Sequence, residues 1–522
     1  MLLAALALAL SAASAFAAPH PRLTVLIVAE QFRPDYLDRY RPSFSAGGFN
    51  RLLKGGAVFR NCRYDYLATF PASGAAVLAT GSYPDRNGIL AEHWYDRRSA
   101  SLVGAVEDPH VLLVGSDTQR RGASPHNLVG TTLADQLRLA TAGRSRTVSI
   151  SLRDSTAVLL AGRRPAGCYW LDDAGRFVTS SYYADTLPSW VTAFEKTHPP
   201  ARHRGQAWKA LDAKEDTPPL QVIGRADSLD LPSYQAAYRA SPFALDDEFD
   251  FAREAVIGER LGERGSPDLL IVSVSSLYLL GLDSGADSPL MRDLVLRFDR
   301  KLEEFFAWLD SHFGAGNVWS AFTATQGLPE SSDTLAAEGI ASGRVSGDEI
   351  VAAVNARLTD VYGRATDRRA GYVEKYVYPW LYLRRDAVDR LPDAARLAGE
   401  AALTVPGVAS YYVPGGASNL QTPLSVLPFA RCYFPQRSGD LLLAYQPYYT
   451  ELYAGGRGVE PGSFYSYDAR VPLILYGPAF RTQAFERPVN PADLAVTLAA
   501  ALELSPPSSA TGRVLFEALK ER

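Results

Sequence analysis

The 522-residue chain is poor in the residues that most often bind transition metals. It contains seven histidines and three cysteines, and the cysteine spacing shows no metal-binding signature. Acidic and basic residues nearly balance at a net charge of −4, so the composition does not indicate nucleic-acid binding. After residue 18 no apolar run is long enough to cross a bilayer. The length allows one large domain with insertions, or two to three domains.

The N-terminal segment, residues 1–18, is apolar and ends in Ala15-Phe16-Ala17, a small-x-small cleavage pattern. It predicts a secretory signal peptide, and therefore a periplasmic or secreted protein. The segment has no Lys or Arg near its start, so an uncleaved membrane anchor is the alternative. Against that alternative, the apolar run is short for a spanning helix.

Export would permit one disulfide with one thiol left over. Cys168 and Cys432 are the favoured pair because both lie in segments that we interpret as insertions, which leaves Cys62 unpaired. Three free, buried thiols are equally compatible with the sequence.

Short runs of apolar and β-branched residues predict the strands of a parallel sheet that is buried on both faces. These runs are residues 23–29, 146–152, 268–276, 317–323, 440–445 and 473–477. Open α/β sheets bind ligands at the carboxyl ends of their strands. The residues that follow the first two runs, Glu30 and Arg153, are therefore candidate site residues.

Residues 66–81 join a turn to a run of small, helix-forming residues that ends at Gly81. Pro71 suits the first turn of a helix because it has no N–H and a fixed φ. A helix N-terminus presents free N–H groups and a partial positive charge. The stretch therefore predicts a place to hold a phosphate or sulfate, although no strong nucleophile stands at its tip.

This stretch and residues 88–96 resemble the alkaline phosphatase superfamily, and most closely its secreted bacterial phosphate-irrepressible alkaline phosphatases, which are related to nucleotide pyrophosphatase/phosphodiesterases. The resemblance extends over nearly the whole chain after the signal segment. It implies an α/β fold, an alkaline-phosphatase-like sandwich with a central, mostly parallel sheet flanked by helices and two cap insertions. The core parts are then residues 22–164, 261–327 and 438–522, separated by a cap at 165–260 and a second insertion at 328–437.

The family uses a Thr or Ser nucleophile, and the resemblance places Pro71, which has no hydroxyl, at that position. Ser73 is a weak alternative nucleophile in the same stretch. Glu92 stands where the family has an Asn that donates to a phosphate oxygen, and its carboxylate would repel a phosphate dianion. Arg153 keeps one of the two cations that clamp the phosphate, and Ser155 replaces the other. Arg153 could bind an anion, or it could instead pair with Asp154 or Glu30.

The resemblance also implies two Zn²⁺ ions, but the matching ligand positions hold other residues. They are Glu30, Tyr278, Leu282, Thr325, Gln326, Pro461 and Arg470. Only Glu30 is a plausible zinc ligand, and alone it is more typical of a hydrogen-bonding residue. We therefore expect no metal cofactor. Arg153, Arg470 and Glu92 are the candidate substrate-binding residues, and we hypothesise that Arg470 pairs with Glu30 or Glu92 and fills the metal space.

Three hypotheses follow. In the first, the protein is a pseudophosphatase that has lost two-zinc chemistry and binds an unidentified small molecule or protein, but no nucleic acid, through its caps. In the second, it is an active phosphomonoester or phosphodiester hydrolase in which Ser73 is the nucleophile and Glu30 or Glu92 the base. That hypothesis requires Ser73 Oγ within hydrogen-bond reach of a carboxylate in an open pocket. In the third, the motifs are misaligned, and acidic and histidine side chains converge elsewhere.

Overall fold

A computed structural model describes residues 20–118, 120–225, 230–365, 371–415, 423–452 and 460–521. The predicted signal peptide, residues 1–18, lies outside the described residues. Among the residues described, no helix has both the length and the apolar character needed to span a membrane.

The strands run through the whole described chain. In order they are β1 Leu23–Ala29, β2 Ala57–Arg63, β3 His93–Asp96, β4 Ser101–Gly104, β5 Glu107–Val114, β6 Arg121–Ala123, β7 Thr147–Ser151, β8 Gly167–Leu171, β9 Phe177–Ser180, β10 Ala207–Trp208, β11 Gln221–Val222, β12 Asp268–Val274, β13 Val318–Ala324, β14 Gly343–Val345, β15 Val373–Val377, β16 Trp380–Leu383, β17 Val408–Tyr412, β18 Leu441–Tyr445, β19 Tyr449–Glu451, β20 Arg470–Tyr476 and β21 Gln483–Phe485.

Helices alternate with many of these strands. They are α1 Asp35–Arg39, α2 Phe49–Gly55, α3 Pro71–Thr80, α4 Pro84–Asn87, α5 Leu133–Ala140, α6 Asp154–Ala161, α7 Ser189–Thr197, α8 Leu231–Arg239, α9 Pro242–Gly258, α10 Ser276–Ser284, α11 Pro289–Phe313, α12 Ser332–Ala337, α13 Gly347–Tyr362, α14 Arg385–Val388, α15 Ala394–Ala402, α16 Pro423–Ala430, α17 Ser466–Ala469 and α18 Asp493–Ala501, with short 3-10 helices at Arg41–Ser43 and Phe516–Ala518.

An eleven-stranded sheet forms the centre of the fold, in the order β21-β2-β20-β13-β1-β12-β7-β8-β9-β5-β6. Its middle strands, β13 to β8, are parallel to one another, and antiparallel pairs flank them. All seven residues of β1, β12 and β13 are buried, as expected for strands covered on both faces. The predicted α/β architecture with a mostly parallel centre is confirmed.

The register of β1 aligns three strand ends at one edge of the sheet. Ala29, the last residue of β1, pairs with Val274 of β12 and Ala324 of β13. The next residue of each strand, including Glu30, therefore arrives at the same level. This edge is where ligands of open α/β sheets bind, so the fold places Glu30 there by strand register alone.

The boundary between core and insertions differs from the prediction in two places. The segment 165–260 is not only a cap, because β8 and β9 extend the central sheet and α9 packs against β7 and β12. The strand β18, predicted to resume the central sheet, instead belongs to a separate four-stranded sheet, β15-β16-β18-β17. That small sheet shares its own hydrophobic cluster with α13 and α15, so the second insertion extends beyond residue 437.

The three cysteines, Cys62, Cys168 and Cys432, are all free and buried. The structure therefore agrees with three separate thiols and contradicts the Cys168–Cys432 disulfide. Burial raises the pKa of each thiol above its ordinary value, because a thiolate is poorly stabilised away from water.

Candidate functional site

Helix α3 places its N-terminus at the candidate site. Phe70 is extended, Pro71 is the first helical residue, and Gly81 ends the helix in the left-handed conformation. All ten residues of α3 are buried, which its small side chains permit. A Cβ at Gly74 would lie 2.3 Å from the carbonyl oxygen of Thr325, so only glycine lets the helix approach the end of β13 this closely.

The carboxylate of Glu92 occupies the N-terminal end of α3. Its Oε1 accepts a 2.6 Å hydrogen bond from the backbone N–H of Ala72. Its Oε2 accepts hydrogen bonds from Nη2 of Arg153 at 2.7 Å and from Oγ of Ser155 at 3.2 Å. A helix N-terminus and an arginine together form an anion site, and here the protein's own carboxylate fills it.

Arg153 joins Glu92 to Glu30. Its Nη1 donates to Oε2 of Glu30 at 2.8 Å, and its Nη2 donates to Oε2 of Glu92. The guanidinium also lies 4.6 Å from the ring centroid of Tyr278. Burial alone would lower the pKa of Arg153, but the charges of Glu92 and Glu30 raise it well above its usual value. Arg153 therefore stays charged, and both of its terminal amino groups bind the protein's own carboxylates.

Glu30 is fully buried and satisfied by hydrogen bonds. Besides Arg153, its carboxylate accepts hydrogen bonds from Oγ1 of Thr156 at 2.7 Å and from Oγ of Ser275 at 2.6 Å. A buried carboxylate with a cationic partner and two hydroxyl donors is stable as a structural ion. It is not a free metal ligand.

The other positions that the resemblance assigns to zinc lack the donors for it. Leu282 is half-buried, and four are buried: Tyr278, Pro461, Thr325 and Gln326. Oγ1 of Thr325 and both side-chain amide atoms of Gln326 have no hydrogen-bond partner among the described residues. Zinc sites in proteins use Cys, His, Asp and Glu. In the described part of the chain, no group of three or more such residues converges on a possible metal position. The residues present do not fit the two zinc ions of the family.

The third hypothesis, a misaligned metal site elsewhere, receives no support from the same search. All seven histidines lie in the described ranges, and the undescribed residues contain no His or Cys. Asp227 and Asp367 are the two acidic residues among them.

Arg470 does not take the place predicted for it. It is exposed, and its Nη2 donates to the backbone carbonyl of Arg60 at 3.1 Å. Within the described residues it is Arg153 that pairs with Glu30 and Glu92. The predicted pairing of Arg470 with either carboxylate is therefore wrong, and the site does not bring Arg470 together with the other candidates.

Ser73 is a structural residue in this geometry. It is fully buried, and its Oγ donates to the carbonyl of Ala68 at 2.7 Å. The same oxygen lies within hydrogen-bond distance of the Phe70 N–H and of the Tyr66 hydroxyl. No described carboxylate is within hydrogen-bond reach of it, so the geometry that the hydrolase hypothesis requires is absent from the described residues.

Two further carboxyl groups are linked electrostatically to the cluster: the half-buried Glu460 interacts with Glu92, and the buried Asp468 interacts with Glu460. Burial, and then the charge of Glu92, raise the pKa of Glu460 to about 7, partly offset by Arg153. Burial likewise raises the pKa of Asp468 to about 7, although Ser463 donates to it from its N–H and its hydroxyl. Both groups are poised to change charge near neutral pH, and neither was singled out from the sequence.

Sequence reasoning also missed the hydroxyls that hold Glu30. Thr156 lies in the first turn of α6, and Ser275 follows β12 directly. The sequence indicates only that both residues lie at a strand end or a helix start, beside the predicted edge of the sheet. This is weak evidence for contact with Glu30, because Ser and Thr are common at such positions for local hydrogen bonding.

The comparisons with known proteins identify the class. Residues 24–338 match the family described as type I phosphodiesterase / nucleotide pyrophosphatase, and the chain belongs to this family and to the alkaline phosphatase superfamily. It is 30% identical to alkaline phosphatase PafA from Elizabethkingia meningoseptica over 526 residues, which cover 96% of this chain and 95% of the relative. It is 27% identical to alkaline phosphatase PhoV from Synechococcus elongatus, with 96% of this chain and 93% of the relative covered.

The fold is likewise that of a solved relative. The crystal structure of wild-type PafA matches with a TM-score of 0.87 at 30% identity, and the match covers 97% of this chain and 100% of the other. The fold of this alkaline phosphatase therefore extends over nearly the whole described chain.

Proposed function

We propose that this protein is a pseudophosphatase, a member of the alkaline phosphatase superfamily that has lost two-zinc phosphoryl transfer and acts as a binding protein. The observation that carries the proposal is the Glu30–Arg153–Glu92 cluster. Arg153 and the N-terminus of α3, which the resemblance would assign to substrate phosphate, are both engaged by carboxylates of the chain. A phosphate dianion entering there would meet two negative charges, with the Ala72 N–H and both terminal amino groups of Arg153 already engaged.

Loss of the chemistry is supported at each step that the family reaction needs. Two-metal phosphoryl transfer requires ligands for two cations and a nucleophile placed in line with the leaving oxygen. Pro71 has no hydroxyl, and the oxygen of Ser73 is buried and committed to backbone groups. No group of three or more His, Cys, Asp or Glu side chains that could hold a metal ion occurs in the described ranges.

The proposal has two further parts: the protein is exported, and it binds a small molecule or another protein. Export to the periplasm or beyond rests on the sequence of residues 1–18. A binding role rests on the retention of a folded scaffold of this size with open space beside the closed cluster. Nucleic acid is not the proposed partner, because the net charge is −4.

Turnover measurements test the loss of catalysis. The purified full-length protein is assayed with p-nitrophenyl phosphate and with bis-p-nitrophenyl phosphate, with and without added zinc, beside an active alkaline phosphatase of the family. We expect no zinc-dependent turnover above the buffer rate for either ester. Zinc-dependent turnover that follows the protein through purification would support the hydrolase hypothesis and overturn this proposal.

A further inference from the structure

An open cleft of about 830 Å³ lies beside the Glu30–Arg153–Glu92 cluster. Its walls come from the start of α6, strands β5 and β6, the β8–β9 hairpin and helix α8. The volume is typical of sites for small organic molecules and far exceeds that of an inorganic phosphate. The cleft therefore provides binding space that the closed cluster itself lacks.

Eight charged side chains line the cleft, and six of them are already paired with other charges of the protein. The pairs are Arg120 with Asp173, Arg121 with Glu107, Arg176 with Asp172, and Arg153 with Glu30 and Glu92. Charges that are neutralised in this way contribute little to attracting a ligand. The two that remain are Arg239 and Asp154.

Arg239 is the cation of the cleft that has no ion-pair partner within the described ranges. Its Nη2 donates to the backbone carbonyl of Asp172 and, at 3.5 Å, to that of Leu171. Its Nη1 has no hydrogen-bond partner among the described residues. Since a half-buried guanidinium without a carboxylate is costly, Arg239 is a ready site for a ligand anion.

Asp154 is the matching anion. It begins α6 and is exposed to the cleft. Its Oδ1 accepts the N–H of Ser155 at 2.7 Å, and no described cation lies within ion-pair distance of it. Burial lowers the pKa of Arg239, and the charges of Asp173, Asp172 and Asp154 partly offset this. Desolvation by the surrounding protein raises the pKa of Asp154, and the charge of Arg153 partly offsets that.

Apolar side chains also line the cleft, beside its charged groups. Its carbon-rich lining comes from Leu113, Trp170, Leu231, Pro232 and Leu279. An apolar lining with a few placed polar groups is the usual composition of a small-molecule site. One cation and one anion within such a lining favour a ligand that carries both charges.

We propose that this cleft binds a small zwitterion with an apolar body, of the size of an apolar dipeptide, whose carboxylate lies at Arg239 and whose ammonium group lies at Asp154. The inference deepens the binding role proposed above. It does not depend on the loss of zinc chemistry.

Titration calorimetry on the full-length protein tests the charge requirement directly. The probes are the dipeptide Leu-Phe, its N-acetyl derivative, which lacks the ammonium group, and its C-terminal amide, which lacks the carboxylate. We expect Leu-Phe to bind and each derivative to bind about tenfold more weakly, as for the loss of one charged hydrogen-bonded contact. No heat of binding with Leu-Phe at millimolar concentration would overturn the proposal, as would equal binding of all three probes.

Two substitutions assign the charges to their residues. Arg239→Gln should weaken Leu-Phe and the N-acetyl derivative about tenfold and leave the amide unchanged, and Asp154→Asn should weaken Leu-Phe and the amide but not the N-acetyl derivative. Arg396→Gln, an exposed ion-paired arginine of the second insertion, is the matched control and should change nothing. Unaltered circular dichroism and thermal midpoints show that the variants fold.

Binding of Leu-Phe that neither cleft variant alters would place the ligand elsewhere and overturn the assignment. The assay with phosphate esters reports separately on the lost chemistry. A protein that hydrolyses the esters and binds Leu-Phe in the cleft would refute only the proposed function. A protein that neither hydrolyses the esters nor binds any of the three probes would refute only this inference.

Discussion

The carboxylate of Glu92 accepts a 2.6 Å hydrogen bond from the backbone N–H of Ala72, the second residue of α3. Helix N-termini bind anions because their N–H groups are unpaired and carry partial positive charge. In this protein the anion is a side chain held in place by Arg153 and Ser155. The first prediction concerns what happens when that side chain is removed.

Glu92→Ala should create a phosphate site. The substitution frees the Ala72 N–H, Nη2 of Arg153 and Oγ of Ser155, and it removes the nearest negative charge. Inorganic phosphate should then bind with a dissociation constant of about 1 mM, equivalent to about 4 kcal/mol from a few charge-assisted hydrogen bonds. Phosphorus NMR line broadening or calorimetry measures it.

The parent protein and Glu486→Ala, a change at an exposed glutamate, should bind no phosphate in the same range. Equal phosphate binding by the parent would contradict the conclusion that Glu92 fills the anion position.

Arg153→Met should destabilise the fold strongly. It leaves Glu30 buried and Glu92 half-buried without their shared cation, and breaking a buried pair in this way costs about 3–5 kcal/mol. Urea unfolding measures the free energy. Adding Glu30→Gln to Arg153→Met should recover part of the loss, because the buried charge is then absent as well.

A matched change at a surface pair, Arg121→Met, should cost less than about 1 kcal/mol. A loss of similar size at Arg121 and Arg153 would mean that the cluster contributes no special stability.

Asp468 should make stability fall as the pH rises. Its pKa is raised by burial from 3.8 to about 7 in the folded protein, so the folded state holds a proton that the unfolded state releases above about pH 4. The stability due to this proton is fully present below pH 4 and is lost as the pH rises toward and through 7. Asp468→Asn, which does not titrate, should gain roughly 2–4 kcal/mol relative to the parent between pH 4 and pH 8.

The measurement is the difference in unfolding free energy between the variant and the parent at several pH values. A difference that is constant with pH would show that Asp468 keeps an ordinary pKa in the folded state.

The cysteines should behave as three inaccessible thiols. All three are free and buried, so a thiol reagent such as DTNB should react with none of them in the native protein. After unfolding without reductant it should titrate three thiols per chain. One thiol per chain would instead demonstrate a disulfide, and rapid reaction in the native state would contradict the burial.

The sequence predicted the four central strands β1, β7, β12 and β13 within two residues, because apolar, β-branched runs have few alternatives to a buried parallel sheet. It placed the start of β20 three residues too late. It also placed Glu30 at the correct edge, since strand ends follow from strand positions. Composition predicted the bounds of the insertions less well. The aromatic-rich segment after residue 165 contains β8 and β9 of the central sheet, and aromatic residues suit a strand as well as a cap.

The ion-pair partners of Arg153 and Arg470 could not be predicted from the sequence. It offered two acidic partners for each arginine, and the choice between them depends on the direction of the side chain. Successive residues of a strand point to opposite faces, and Arg470 begins β20 on the exposed side while Val471 is buried. Arg153 instead lies between β7 and α6, within reach of two carboxylates.

Zinc stoichiometry tests the central claim most directly. The full-length protein is equilibrated with excess zinc, freed of unbound metal by gel filtration and analysed by inductively coupled plasma mass spectrometry, beside an active alkaline phosphatase of the family. The account predicts substoichiometric zinc in this protein, because Arg153 and two hydroxyl groups occupy the carboxylate of Glu30, the one remaining candidate ligand. Two zinc ions per chain would contradict it.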